Sequence, residues 1–364
     1  MNKPIAIEEL EAIIELCKVH KEVIEFKDEI TPEIQQIATK NGVGAWIYSR
    51  CKAGLIKGID ADHLKQWKSV YFHNTLQYQK YIAVYQKVNE QLAEMGIPVL
   101  ALKGIALASE LYADEGLRPM SDIDILVPEG SGSEALHVLL KNGAQQLAVP
   151  RSSQHEQLDA HVRAISIDGI MVEIHQRLFS VGSVFYLKGT DRFENCVQIK
   201  KQGIAMQRLN DVLMAYHLVT HAIKGIQMGG LRLGWLLDIA LVLQPIKDRE
   251  AFILAVINVN RKQEKAMRQL IQMAVILLPN EASIPPNEVK RLLSKIAALM
   301  EVKDLGPKHR LINLYHLFNA PGLRTKATVL WREFFPEREY MQYRYQTQAK
   351  EPLWRLYAKR ILRL

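Results

Sequence analysis

Two aspartates, Asp122 and Asp124, interrupt an otherwise apolar stretch of the sequence, SDIDILV. Alternate residues of a β-strand share one face, so a strand here places both carboxylates on one side and the isoleucines between them on the other. Aspartate is depleted in strands, and an unpaired buried charge is costly. The pattern therefore predicts a cation beside the face that carries the two acids.

A third acid, Glu173, lies between Val172 and Ile174 in GIMVEIHQRL, a second stretch that favours a strand. Adjacent strands lie about 4.8 Å apart, and positions two apart on one strand are separated by roughly 6.5–7 Å. If the two strands are neighbours, three carboxylates converge on one patch. Such a patch could hold two divalent cations at the spacing of about 3.5–4 Å that is used for phosphoryl transfer. Oxygen ligands of this kind suit Mg²⁺, and we expect Mg²⁺, or Mn²⁺ in its place.

The elements that must position these acids change in type along the chain. Residues 1–92 have helical apolar spacing, whereas GIPVLALKG predicts a short buried strand that ends at Gly104 and leads into a helix. The acidic strand and a helix over GSEALHVLLKNG follow, and Asp168-Gly169 then predicts a tight hairpin between two further strands. Helical patterns return from about residue 208. The sequence predicts an α+β fold with a small mixed sheet between two helical regions.

This order of elements resembles the polymerase-beta-like nucleotidyltransferase superfamily. More narrowly, LKGIALASELY, LRPMSDIDILV, VEIHQRL and LGWLLDIALVL are similar to the bacterial family of uncharacterised nucleotidyltransferases, over roughly residues 90–245. The resemblance implies a polymerase-beta-like nucleotidyltransferase core at residues 93–207. An N-terminal helical region (residues 1–92) and a C-terminal helical domain with a basic aromatic tail (residues 208–364) would flank it.

The resemblance also implies an activity and assigns roles to the acids. A nucleotidyltransferase moves a nucleoside monophosphate from a nucleoside triphosphate (NTP) to an acceptor and releases pyrophosphate. Asp122 and Asp124 become metal ligands, and Glu173 becomes the third ligand or the general base that activates an acceptor hydroxyl. The alternative is a catalytically degenerate, nucleotide-binding regulatory module that keeps the fold without turnover.

Three further residues are candidates for nucleotide binding. The superfamily has Gly-Ser or Gly-Gly after the first strand, whereas this chain has Lys103-Gly104. Lysine binds phosphate as a point charge, so we expect Lys103 to contact the triphosphate in place of the serine, unless it is simply an exposed helix start. Gly104 allows a sharp turn and close approach of a phosphate. Arg118, four residues before Asp122, either neutralises phosphate or pairs with an acid of the site.

Histidines are the first candidates on the substrate side. His175 follows Glu173 by two residues, so it shares a strand face with the acid and would orient the carboxylate or the acceptor. His217 and His221 are one helical turn apart, a spacing that can share a metal, but the glutamate of the zinc-protease motif is missing. For this pair we favour histidines that are satisfied within the fold over zinc ligands.

Asp238 is a charge inside the apolar helix LGWLLDIALVL and requires a partner, for which His217, His221 or Arg232 would serve. We favour a buried polar link between helices over a contact with substrate.

Composition limits the class of protein. The chain has 364 residues, of which 48% are hydrophobic and 24% charged, typical of a globular protein with a sizeable core. Its three cysteines are scattered without a CxxC pair, and neither a secretory signal nor an apolar segment long enough to span a bilayer is evident. We therefore expect a cytoplasmic protein with no transmembrane segment.

The net charge of +8 is concentrated near the C-terminus, where residues 321–364 contain ten Lys/Arg, four Asp/Glu and eight aromatic residues. Basic and aromatic residues together can bind nucleic acid, but a docked helix pair with a solvated basic face explains them equally and is the interpretation we favour. The segment from Pro352 predicts an amphipathic helix whose stripe of Leu353, Tyr357 and Ile361 docks on the protein. We expect the acceptor to be a small molecule or a protein, with nucleic acid as the second choice, and the base of the NTP is not specified.

Overall fold

A computed structural model describes residues 5–20, 22–150, 152–187, 193–201, 203–279, 284–301, 322–346 and 351–362. These residues combine many helices with short strands in mixed pairings, which confirms the predicted α+β class. Within these ranges, every helix is too short or too polar to cross a bilayer.

Most of the strands lie between residues 100 and 208, and helices precede and follow them. The helices are α1 (Ile7–Cys17), α2 (Pro32–Lys40), α3 (Gly44–Lys52), α4 (Ala61–Ala93), α5 (Lys103–Glu110), α6 (Gly132–Lys141), α7 (Ser153–Leu158), α8 (Asp211–Gly229), α9 (Leu233–Leu243), α10 (Arg249–Asn258), α11 (Glu264–Val275), α12 (Pro286–Met300), α13 (Leu323–Phe334), α14 (Arg338–Tyr345) and α15 (Leu353–Leu362). The strands are β1 (Ile24–Glu25), β2 (Ile56–Lys57), β3 (Leu100–Ala101), β4 (Asp122–Leu126), β5 (Gln145–Gln146), β6 (Ile165–Ile167), β7 (Ile170–His175), β8 (Val197–Lys201) and β9 (Ile204–Arg208).

The chain divides into two compact units, each built from separate stretches of sequence. The first unit comprises the described residues of 1–83, 101–121 and 192–306, and the second comprises those of 84–100, 122–191 and 307–364. The three regions predicted from the sequence are continuous stretches of chain, whereas each compact unit combines several stretches. The three predicted regions therefore stay a prediction.

Helices α8, α9 and α11 pack together in the first unit around buried side chains such as Tyr216, Leu236 and Met267. Side chains cap the starts of two helices of this unit. The Thr31 hydroxyl accepts a hydrogen bond from the backbone N–H of Ile34 at the Thr-Pro start of α2, and Asn210 caps α8 in the same way. Capping satisfies N–H groups that have no partner within the helix.

The second unit contains four strands in the order β5-β6-β7-β4. β4 and β7 are parallel neighbours, whereas β6 is antiparallel to both β5 and β7. The turn between β6 and β7 has positive φ at Asp168 (53°) and Gly169 (78°), the backbone of a two-residue hairpin turn. The hairpin predicted from Asp168-Gly169 is therefore confirmed.

Helix α15 packs against the protein in the second unit, as predicted for the last segment. Leu356 is fully buried, and the Tyr357 hydroxyl donates a hydrogen bond to the carbonyl of Pro336 (2.7 Å). Leu356 was not part of the predicted stripe, and the side chain of Ile361, which was, lies outside the described residues. The helix docks through a face that is rotated toward Leu356.

Candidate functional site

Strands β4 and β7 are in register, and this pairing creates a face of polar side chains. Asp124 lies opposite Glu173, and Asp122 lies opposite Met171. The other face of the same two strands carries four fully buried apolar side chains, from Ile123, Ile125, Val172 and Ile174. Their burial fixes which way each strand points, because neighbouring side chains on a strand point to opposite faces. The apolar face therefore holds the acids on the opposite side, as the sequence predicts.

The acids and a histidine form a tight cluster on this face. Nε2 of His175 lies 2.9 Å from Oδ1 of Asp124 and 3.7 Å from Oε2 of Glu173. One potential ligand atom from each of the three residues lies within 4.8 Å of the other two. We call Asp124, Glu173 and His175 the acid–histidine cluster.

Burial differs among the members of the cluster. The side chains of Asp124 and His175 are 4% and 6% exposed, whereas that of Glu173 is 25% exposed. Interaction with the His175 imidazole lowers the pKa of Glu173, although burial and the nearby charge of Asp124 both act to raise it. Two adjacent carboxylates repel each other, and the imidazole between them offsets part of that repulsion.

The donor set fits a hard divalent cation. Two carboxylates supply oxygen ligands of the type that Mg²⁺ and Mn²⁺ prefer, and the more exposed of them, Glu173, leaves room for water or substrate oxygens. The Nε2 atom of His175 is already within hydrogen-bond distance of Asp124. We therefore assign His175 the role of holding that carboxylate in place rather than that of a metal ligand.

Asp122 is the predicted carboxylate that the acid–histidine cluster does not include. It is half-buried on the same face of β4, two residues before Asp124. Among the described residues, the potential ligand atoms that lie within 4.8 Å of one another belong to Asp124, Glu173 and His175, and the convergence of all three carboxylates stays a prediction.

His161 is a neighbour of the cluster that the sequence did not reveal. An isolated β-bridge joins His161 to His175, and the two imidazole rings meet edge to face with centroids 5.4 Å apart. The charge of His161 also contributes to lowering the pKa of Glu173. His161 lies 12 residues before Glu173 in a short irregular segment, HVRA, that precedes β6, so no periodic pattern marks it.

Lys103 and Gly104, the predicted phosphate contacts, begin helix α5 in the first unit. Lys103 has a φ of 40°, in the left-handed region that a residue with a side chain rarely adopts. A Cβ at Gly104 would lie 3.1 Å from both Nη1 of Arg118 and Sδ of Met120, so a larger residue there would have to displace these side chains.

Arg118 and Asp238 form an ion pair within the first unit. Nε and Nη2 of Arg118 donate to the two carboxylate oxygens of Asp238 (2.9 and 2.8 Å), and the Tyr112 hydroxyl donates to Oδ1 (2.8 Å). Asp238 is 2% exposed, which agrees with the predicted buried polar link. The partners proposed for it, His217, His221 and Arg232, are wrong, because in the described structure its hydrogen bonds go to Arg118 and Tyr112.

His217 and His221 lie on α8 with ring centroids 6.3 Å apart. His217 is 3% exposed, and the ring of His221 packs edge-on against Trp235 (5.7 Å). No third ligand joins them in a metal cluster among the residues that the structure describes. This environment agrees with histidines satisfied within the fold.

Comparison with solved structures finds nucleotidyltransferases at low similarity. A crystal structure of ANT(2″)-Ia in complex with adenylyl-2″-tobramycin is 10% identical, with a TM-score of 0.37, and the match covers 50% of this chain and 97% of that one. An antigenic nucleotidyltransferase-like protein from Paracoccidioides brasiliensis is 11% identical, with a TM-score of 0.28, and the match covers 55% of this chain and 92% of that one.

Comparison with protein families gives a more extensive match. No curated protein matches the chain. The model of the family described as uncharacterised nucleotidyltransferase matches residues 29–279, more than half of the sequence. The chain belongs to this family of nucleotidyltransferases.

Proposed function

We propose that the protein is a metal-dependent nucleotidyltransferase that moves a nucleoside monophosphate from an NTP to an acceptor and releases pyrophosphate. The observation that carries this proposal is the register of β4 and β7, which sets the carboxylates of Asp124 and Glu173 side by side with His175. The family match supplies the reaction class.

Asp124 and Glu173 would hold a divalent metal, Mg²⁺ or Mn²⁺, with Asp122 contributing from the same face of β4. The metal, when bound, supplies charge neutralisation for the phosphates of the NTP. His175 donates to Asp124 and keeps its carboxylate oriented. Glu173 is the most exposed member of the cluster, so it is the acid that an acceptor hydroxyl can reach, either as the third ligand or as the base that takes its proton.

Lys103, Gly104 and Arg118 remain our predicted nucleotide contacts. His217, His221 and Asp238 are the substrate-side candidates, second to the structural roles that we favour for them. The φ of 40° at Lys103 supports a functional role, because strained backbone of this kind persists most often at functional sites. For Arg118, the ion pair with Asp238 leaves less positive charge for a phosphate. Its contribution to nucleotide binding should therefore be smaller than that of Lys103.

The test is a transfer assay with α-labelled ATP, CTP, GTP and UTP, each with Mg²⁺ or Mn²⁺, against pools of small molecules, proteins and RNA. We expect label in an acceptor together with pyrophosphate release, and loss of both with Asp124→Asn. The control is Asp168→Asn, which makes the same chemical change in the hairpin turn. Asp168 is 65% exposed and pairs with Lys87, and asparagine tolerates its left-handed backbone.

A degenerate nucleotide-binding module is distinguishable in the same experiment. It would bind NTP in the presence of metal but release no pyrophosphate and label no acceptor with any of the four nucleotides. That result would overturn the proposed activity in favour of a regulatory role.

A further inference from the structure

A small pocket lies within the first unit, and none of the three residues of the acid–histidine cluster lines it. It has a volume of about 220 Å³, below the range of about 300–1,000 Å³ for drug-sized ligands. Its walls come from three places: the end of α2 and the turn after it (residues 39–42), the segment after α5 (Tyr112, Arg118 and Pro119), and the start of α9 from Arg232 to Asp238.

The inner wall of this pocket is a hydrogen-bonded network that fixes Arg118. Asp238 accepts two hydrogen bonds from its guanidinium and one from Tyr112. The Arg118 and Asp238 side chains are 14% and 3% exposed, so the pair is largely removed from water. The charge of Arg118 is therefore compensated, and its geometry is set before any ligand arrives.

Asn41 and two glycines hold the walls close together. The Asn41 side chain accepts a hydrogen bond from the N–H of Leu233 (3.2 Å), and its carbonyl accepts one from the N–H of Gly234 (3.0 Å). A Cβ at Gly234 would lie 3.0 Å from that carbonyl, and a Cβ at Gly42 would lie 3.0 Å from Cγ of Pro119. A larger residue at either position would push the neighbouring wall outward, so the two glycines determine how closely the walls approach each other.

The mouth of the pocket carries positive charge that the described residues do not compensate. Lys40 and Arg232 are both exposed, and neither forms an ion pair within the part of the chain that the structure describes. The guanidinium of Arg232 lies over the ring of Trp235 (5.4 Å), which keeps the arginine at the pocket. With Arg118 balanced by Asp238, Lys40 and Arg232 leave a formal charge of +2.

Trp235 is itself fixed. Its ring packs edge-on against His221, and a Cβ at Gly225 would lie 2.4 Å from its six-membered ring. The tryptophan therefore forms a rigid wall against which Arg232 stacks, so Arg232 loses little freedom when it binds an anion.

We propose that this pocket binds the phosphate or carboxylate group of a small organic anion, with Lys40 and Arg232 as its charged contacts. Guanidinium and ammonium groups form short, charge-assisted hydrogen bonds with both kinds of oxyanion. The volume limits the ligand to a molecule well below the size of a nucleotide. The proposal does not depend on transfer chemistry at the acid–histidine cluster.

Isothermal titration calorimetry of the full chain tests this site with three probes of similar size: glycerol 3-phosphate, glycerate and glycerol. We expect at least one of the two anions to bind and glycerol not to bind, and the stronger of the two anions identifies the preferred oxyanion. Arg232→Gln and Lys40→Gln should each weaken binding about tenfold or more, the effect of losing a charge-assisted hydrogen bond. The matched control is Lys262→Gln, an exposed lysine that does not line the pocket.

Three results would overturn the proposal. The first is equal heat with glycerol and both anions. The second is unchanged anion affinity in Arg232→Gln and Lys40→Gln. Arg232 would then serve only to pack on Trp235, and Lys40 would serve only as part of α2. The third is complete displacement of the anion by stoichiometric ATP with Mg²⁺, which would assign the pocket to the nucleotide. Loss of transfer activity in Asp124→Asn with retained anion binding would leave the pocket standing independently of the proposed function.

Discussion

Replacement of Asp124 by asparagine should separate the stability of the acid–histidine cluster from its function. The substitution keeps the size of the side chain and removes one of two carboxylates whose oxygens lie within 4.8 Å. Two like charges at that distance repel by about 3.5 kcal/mol at an effective dielectric constant of about 20, and exposure of Glu173 reduces this figure. The lost charge-assisted hydrogen bond to His175 costs about 1.5–3 kcal/mol. The two effects nearly cancel, so the free energy of unfolding without metal should stay within about 2 kcal/mol of the parent or rise.

A divalent metal should raise the melting temperature of the parent chain but not that of the Asp124→Asn variant. Binding to the folded state alone stabilises it by about 2.7 kcal/mol when the free metal concentration is 100 times the Kd. The parent chain should therefore melt several degrees higher in Mg²⁺ or Mn²⁺ than in EDTA. A change of about 1 kcal/mol in the free energy of unfolding shifts Tm by roughly 2–4 °C in a domain of about 150–250 residues. Asp124→Asn should lose this shift, whereas Asp168→Asn should retain it.

The assay is thermal unfolding followed by circular dichroism, in EDTA and across a metal titration, with the transfer assay on the same samples. A metal-dependent rise in Tm that is equal in Asp124→Asn and the parent would refute the cluster as a metal site. A large loss of stability in EDTA would show that the carboxylate is held mainly for its bond to His175.

Further changes probe the other predicted roles. Glu173→Gln should lower kcat of transfer by tenfold or more while NTP affinity falls less, if Glu173 activates the acceptor; equal losses would favour a purely ligand role. Lys103→Ala should weaken NTP binding without a change in secondary structure, and unchanged affinity in a filter-binding assay would return Lys103 to a structural role. Asp238→Asn should destabilise the fold by about 3 kcal/mol in urea unfolding, because Arg118 keeps its charge in a largely buried place, and a change below about 0.5 kcal/mol would contradict this. Leu356→Ala should cost about 2–5 kcal/mol if α15 unfolds together with its unit, and a loss of α15 alone would instead appear as faster proteolysis after residue 346.

Local patterns in the sequence were enough to predict the elements that hold the acids. The alternation in β4 and the turn residues Asp168-Gly169 each act over a few residues, and the structure confirms both. The β8–β9 hairpin was missed, although Gly203 lies between the two strands, because half of the strand residues are polar and, of the apolar ones, only Ile199 and Met206 are deeply buried.

Contacts between residues that are far apart in the sequence could not be predicted from local patterns. Asp238 needs a cation, which the apolar helix around it predicts, but its partner Arg118 is 120 residues away and no periodicity connects them. The role of Leu356 depends on the rotation of α15 against its neighbours, which a stripe of residues spaced by four does not determine. Likewise, the approach of His161 to His175 follows from an isolated bridge between an irregular segment and β7.

The two-residue turn between β6 and β7 has a consequence for how this protein tolerates change in length. The turn fixes the register of β7 against β6, and β7 places Glu173 beside Asp124 on β4. A single inserted or deleted residue between Gly169 and Glu173 would exchange the two faces of the strand and send Glu173 into the apolar side while Val172 or Ile174 took its place. Insertions in the exposed part of the segment between α6 and β6 would leave this register intact. Natural variation in length within the family should therefore concentrate before β6 and be absent from the five residues that end at Glu173.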